Sequence, residues 1–196
     1  MTGGWRSRAV AIGDTLRGVV GDPPTMSTTA GDPPVGRFLD RLADFDVSHT
    51  VTTPDGVADA VADVAHDPAV GVPLPEGLGE LPDAVTTDPS PGDLEAAATG
   101  VTQADLGVAD YGSLALPATA DGVEPVSLYG DQHVAVVAAE DVVSGMPEAL
   151  SELGDRFRAD GDSVVLATGP SATADMGALV QGAHGPKTVH AVVVER

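Results

Sequence analysis

Two glycine-rich segments of this 196-residue chain concentrate the side chains able to do chemistry. The first is Thr168-Gly-Pro-Ser-Ala-Thr-Ala-Asp175. Gly169 permits a positive φ or close backbone approach, and Pro170 stiffens the turn. Ser171 and Thr173 offer hydroxyls and Asp175 a carboxylate, a set suited to an anion or a polyol. No Gly-Lys-Ser/Thr follows the glycine, so it is not a phosphate-binding P-loop. An ordinary polar loop whose Ser, Thr and Asp satisfy local backbone donors would read the same way. The second segment is Gln181-Gly-Ala-His-Gly-Pro-Lys187. His184 lies between Gly182 and Gly185, where a side chain reaches a ligand without crowding. Lys187 is the only lysine of the chain. Its ammonium could balance a carboxylate or phosphate. The plainer alternatives are a turn histidine and a solvated charge ahead of a strand.

A third segment, Gly100 to Ser113, supplies Asp105, Asp110 and Ser113 without a clean period. Asp105 and Asp110 could form an acid/base pair; capping of a loop that enters a strand would use the same residues. The histidines at 49, 66, 133, 184 and 190 form no His-x-x-x-His pair, so no metal site is expected. No serine sits in a nucleophile-elbow motif. The chain has no cysteine. It can therefore hold no disulfide, iron–sulfur cluster or cysteine-ligated zinc of its own, and no bound cofactor is expected.

The elements that must position these residues follow from periodicity. Val35, Phe38, Leu39, Leu42 and Phe45 form one apolar helical stripe. Val47 to Thr53 alternates and is β-branched, so it reads as a strand. Pro54-Asp55 opens a second helix, with Val57, Ala58, Val61, Val64 and Ala65 inward and Asp55, Asp59 and Asp63 on a solvent face. Short extended pieces are expected at 69–72 and 84–87, and a short helix at 93–98 ended by Gly100. Residues 112–116, 133–138, 163–168 and 188–194 read as strands, the second apolar on both faces as parallel strands tend to be. Residues 146–159 read as an amphipathic helix using Leu150, Leu153 and Phe157. This order predicts an α/β layer architecture, with a central mostly parallel sheet flanked by helices. The Thr168 segment directly follows a strand, which predicts a crevice beyond the strands' carboxyl ends.

Charge narrows the partners. Thirty acidic residues face nine basic ones, a net charge of −21. Nucleic acid and anionic membrane would be repelled, so neither is an expected partner. No apolar run approaches the length of a membrane span, and no signal-peptide core is present. The chain reads as soluble and cytoplasmic. An Asp-rich, Lys-poor surface around an Ala/Val core fits concentrated salt, where the Debye length is roughly 3 Å at 1 M. An acidic protein from a high-GC organism would also look this way. Residues 1–25 differ, with Arg6, Arg8 and Arg17 against Asp14 and Asp22. Residues 1–32 are expected to be a disordered extension, with Met26 as the natural start, and 33–196 the domain.

The Gly100–Ser113 segment, the Gln132-His133-Val strand, Gly-Pro-Ser-Ala-Thr-Ala-Asp at 169–175 and Gly-Ala-His-Gly-Pro-Lys at 182–187 together resemble the LUD-domain family, in its lactate-utilisation protein C branch. The likeness is clear over about 93–196 and looser from 33. The pairing of the last two motifs is its specific part. The resemblance implies the α/β fold shared by sugar-phosphate isomerases and coenzyme A transferases. It also implies a non-redox part in oxidising L-lactate to pyruvate, beside partner proteins that carry the iron–sulfur clusters. Coenzyme A transferases use a catalytic glutamate; Glu124 and Glu140 sit in no matching motif, so that chemistry is not carried over. The expected site is a crevice with Gly169, Ser171, Thr173 and Asp175 on one side and His184, Gly185 and Lys187 on the other. A small carboxylate ligand, lactate or pyruvate, would rest on backbone N–H groups and Lys187. The other function class is an independent enzyme acting on a small carboxylic acid or a coenzyme A-type ester.

Overall fold

A computed structural model of the chain describes residues 34–160, 163–175 and 178–196. The expected extension at 1–32 lies outside the described residues. Helix α1 (Pro34–Asp44) buries Phe38 and Leu42. Phe45, expected on the same stripe, falls in the turn beyond it and is exposed, because the chain reverses through Asp46 at φ 57°. Strand β1 (Ser48–Thr52) leads through a single 3-10 turn into α2 (Val57–Val64), which buries Val57, Ala60 and Val61. Asp55, Asp59 and Asp63 are all exposed, as their spacing predicts. Short strands β2 (Ala69–Gly71) and β3 (Val85–Thr87) follow. Helix α3 (Pro91–Ala96) starts earlier than expected because Ser90 and Asp93 form a reciprocal capping box.

The polar 100–113 segment is not a loop. It holds β4 (Thr99–Gln103) and β5 (Leu106–Val108), followed by β6 (Ser113–Pro117). Gly100 does not end a helix but sits inside β4, where a Cβ would lie 2.0 Å from the Val126 carbonyl oxygen. The carbonyl belongs to α4 (Val123–Tyr129), which the glycine lets pack directly on the strand. Strand β7 (Gln132–Ala138) is wholly buried. A 3-10 turn and β8 (Val142–Val143) precede α5 (Met146–Asp160). On α5, Leu153 is buried but Leu150 is exposed, so the inward face is narrower than its apolar pattern suggested. The chain ends with β9 (Val164–Ala167), the antiparallel pair β10 (Ala172–Asp175) and β11 (Ala178–Gln181), and β12 (Thr188–Val194).

Six strands form a parallel sheet in the order β1-β12-β7-β4-β2-β3. A second sheet has the order β8-β5-β6-β9, with β6 antiparallel to both neighbours. Successive side chains of a strand point to opposite faces. On β7, Val134, Val136 and Ala138 therefore pack with α2, while Ala135 and Val137 pack with α1, α4 and the second sheet. On β6, Leu114 and Leu116 join that shared core, and Ala115 faces Ala149 and Leu153 of α5. The layers are thus α2, the parallel sheet, the second sheet with α1 and α4, and α5. Burying both faces of the parallel sheet explains its near-continuous Val and Ala runs.

Candidate functional site

The Gly-Pro-Ser segment leaves β9 through Gly169, whose φ is 75°. A Cβ at Gly169 would also stand 3.0 Å from the Phe45 carbonyl oxygen, so conformation and space both require glycine. The Ser171 N–H donates to the Pro186 carbonyl (2.9 Å), and the Gly182 N–H donates to the Ser171 carbonyl (2.8 Å). These two bonds fasten the two glycine-rich segments side by side. Gly185 keeps the approach close: a Cβ there would lie 3.2 Å from the Ser171 Cβ.

Beneath them is a pocket of about 190 Å³. Leu116, Val165, Ala167 and Val189 supply apolar wall, and Leu128 and Gly185 lie beside His184. The polar lining comes from Ser127, Ser171, His133 and His184. The Ser127 hydroxyl donates to the Glu124 carbonyl at 2.7 Å. It can therefore only accept from a ligand. His133 is 2% exposed, and its Nε2 lies 2.9 Å from the Thr102 hydroxyl. Burial pushes its pKa down to about 4. The imidazole is therefore neutral near pH 7.

The pocket opens at the amino edge of the parallel sheet, not beyond its carboxyl ends. The cause is topological. Strand β9 belongs to the second sheet, where it pairs antiparallel with β6, and not to the parallel one. Its own carboxyl end therefore meets the start of β7 and β12, where His133 and Val189 are register partners.

The expected site residues separate into two groups. Gly169, Ser171, His184 and Gly185 line the pocket. Thr173 lies in β10 opposite Val180 and does not line it. Asp175 ends β10, and its side chain lies outside the described part. Lys187 turns away: its ammonium is 2.8 Å from the Asp131 carboxylate, in a well-exposed pair, and its stem covers Gly182. A ligand carboxylate in the pocket is therefore not held by Lys187.

Asp105 and Asp110 sit just beyond opposite ends of β5 and do not form a pair. Asp105 lies near Asp141, whose pKa is raised mainly by burial, with smaller like-charge contributions from Glu140 and Asp105, while Arg196 opposes the rise. Asp110 is 3.7 Å from the Arg37 guanidinium. Ser113 is buried, and its hydroxyl is 2.5 Å from that of Thr168, fastening the entry to the Gly-Pro-Ser turn. The pocket residues not anticipated from sequence are His133 and Ser127. The available signal was one imidazole inside a strand otherwise made of Val and Ala.

Among the described residues, no group of three or more His, Asp or Glu is placed to hold a metal ion, and no helix is long and apolar enough to cross a membrane.

The LUD domain family model matches residues 92–194, more than half of the chain. Lactate utilization protein C of Deinococcus radiodurans is 28% identical over 168 residues, covering 81% of this chain and 78% of that protein. The protein of the same name from Bacillus licheniformis is 33% identical over 118 residues, 58% of this chain and 49% of its own length. That from Oceanobacillus iheyensis is 30% identical over 105 residues, 52% of this chain and 45% of its own. A crystal structure of a DUF162 family protein from Deinococcus radiodurans superposes with a TM-score of 0.65 at 22% identity. It covers 82% of this chain and 96% of that one, which shows the shared fold. With the expected architecture present and both glycine-rich segments, fastened together beside one pocket, inside the matched range, the chain belongs to the LUD-domain family.

Proposed function

We propose that this chain is a non-redox component of a cytoplasmic system that oxidises L-lactate to pyruvate, working beside proteins that carry iron–sulfur clusters. The observation that carries the reading is the similarity to lactate utilization protein C of Deinococcus radiodurans over 81% of the chain. The chemistry of the sequence supports the division of labour. Iron–sulfur clusters are held mainly by cysteine thiolates, and this chain has none. Electrons from lactate must then pass through another protein. The net charge of −21 supports work in concentrated salt, where self-repulsion is screened. Ser171 and His184, with Gly169 and Gly185 beside them, give a small carboxylate a place to bind without Lys187.

Deleting the gene and following growth on lactate as sole carbon source tests this, together with affinity purification of the tagged protein from lactate-grown cells. The expected results are slowed or abolished growth, restored by the gene, and recovery of a protein containing iron and labile sulfide. Undiminished growth with no such partner overturns the reading. Turnover of a small acid or coenzyme A-type ester by the isolated protein would then place it among independent enzymes.

A further inference from the structure

The pocket beneath the glycine-rich segments is larger and more apolar than a ligand the size of lactate uses. Its volume is about 190 Å³, and Leu116, Val165, Ala167 and Val189 line it. An apolar cavity of about 150 Å³ already holds benzene. The methyl group of lactate would cover only a small part of that wall and leave the rest against water. The apolar surface also continues outward. Leu128 stands at the rim, 39% exposed, and the neighbouring Tyr129 is 58% exposed over an adjoining groove, although their helix α4 buries Val123 and Val126. An apolar surface that runs into a pocket marks a ligand site. Gly185 keeps the mouth open, since a Cβ there would lie 3.2 Å from the Ser171 Cβ and 3.7 Å from Leu128 Cδ2.

We infer that the pocket selects a branched or aromatic carboxylic acid of about six to nine carbons, larger than lactate, with its apolar end inward and its carboxylate at Ser171 and His184. That the ligand is a carboxylic acid rests on the proposed function; the size and apolar character of its inner end do not.

The polarity of the lining sets the orientation. No lysine or arginine is among the residues that line the pocket. A carboxylate pushed inward would lose its hydration without gaining a cation. At the mouth, beside the exposed His184 and the half-buried Ser171, it keeps contact with water. The apolar end meets little opposition further in. The Ser127 hydroxyl is already bonded to the Glu124 carbonyl and His133 Nε2 to Thr102, so an alkyl group or a ring lies against them without taking those bonds. His133 is neutral near pH 7, so no charge is stripped of water. Each methylene that moves from water onto such a wall raises affinity about fourfold.

Calorimetry on the full chain with lactate, 2-hydroxybutanoate, 2-hydroxy-4-methylpentanoate and phenyllactate tests this. Affinity should rise about fourfold per added carbon, so that 2-hydroxy-4-methylpentanoate binds on the order of fiftyfold tighter than lactate. In Ala167→Leu, checked for an unchanged fold by its thermal transition, the added side chain occupies the pocket. The longer acids should then fall to the affinity of lactate, while lactate itself changes little. Nuclear Overhauser contacts in the wild-type protein give a reading independent of the variant's folding. The methyl groups of bound 2-hydroxy-4-methylpentanoate should contact those of Leu116 and Val189. Lactate binding as tightly as the longer acids, no binding of any acid, absent methyl contacts, or a preference that survives in folded Ala167→Leu overturns the inference. If any of these is found while the gene is still needed for growth on lactate, only this inference falls. If the longer acids bind as expected but growth on lactate is undisturbed, the proposed function falls and the selectivity of the pocket stands.

Discussion

The Thr102 hydroxyl lies 2.9 Å from His133 Nε2, across two adjacent parallel strands whose register sets Gly100 beside His133 and Thr102 beside Ala135. The bond is a diagonal one between strands separated by thirty-one positions in sequence. It holds in the core an imidazole that also lines the pocket.

That burial makes stability depend on pH. The His133 pKa is pushed from 6.5 to about 4 by desolvation. Between those values the unfolded chain binds the proton and the folded chain does not, so stability is full above pH 6.5 and falls as pH drops toward 4. The lost stability is about 3 kcal/mol. His190 is also lowered, chiefly by burial and then by His49, and acts with the same sign. Denaturant titrations at pH 7 and 4.5 in constant high salt should show this loss. His133→Gln should show a smaller one. Equal losses in the two proteins would contradict the assignment to His133.

Gly100→Ala should be severely destabilising. Its Cβ would stand 2.0 Å from the Val126 carbonyl oxygen and 3.0 Å from the carbonyl carbon, so backbone must move. Overpacking of this kind costs about 1–3 kcal/mol or more. The nearby Gly92→Ala, with only the Ser90 hydroxyl 3.8 Å away, serves as the control. Thermal melts of both should separate them clearly, the first lowered and the second close to wild type.

Lys187→Ala should leave pyruvate affinity unchanged in calorimetry. Its ammonium pairs with Asp131 in the open, and it does not line the pocket. Loss of an exposed pair should cost no more than about 1 kcal/mol of stability. A large drop in affinity would return the lysine to the site.

Ser90→Ala should release the Asp93 carboxyl. The Ser90 hydroxyl and N–H both donate to Asp93 Oδ2, at 2.6 and 2.9 Å, and hold its pKa below the ordinary 3.8. A carbon-13 titration of the Asp93 side chain should show the value rising in the variant. An unchanged value would mean the capping box does not persist in solution.

The legible parts of the fold were those with one strong local period. The stripe Phe38–Leu42, the strand runs at 133–138 and 188–194, and the exposed Asp55, Asp59 and Asp63 all stand as their patterns predict. Strand β4 was hidden because Thr99, Thr102 and Gln103 read as polar loop. Thr99 and Thr102 are buried only because Gln132 and His133 of β7 meet their hydroxyls, a pairing that local sequence does not display. Phe45 and Leu150 erred the other way: their spacing was right, but turn geometry and the limited width of the α5 contact left them exposed.

The candidate site was half legible for the same reason. Gly169, Ser171, His184 and Gly185 stood out because glycine beside a polar group is a local signal. Sequence by itself determined the family, the acidic surface, the lack of thiol ligands and the two motifs. Only tertiary structure decided that the pocket lies at the amino edge of the parallel sheet, since that depends on β9 joining the second sheet and not the parallel one. It also exchanged the apparent key residue. The rare Lys187 is neutralised by Asp131, fifty-six positions away, while the inconspicuous His133 lines the pocket. A charge or a ring nitrogen is available to a ligand according to its partners, and those partners lie on other strands.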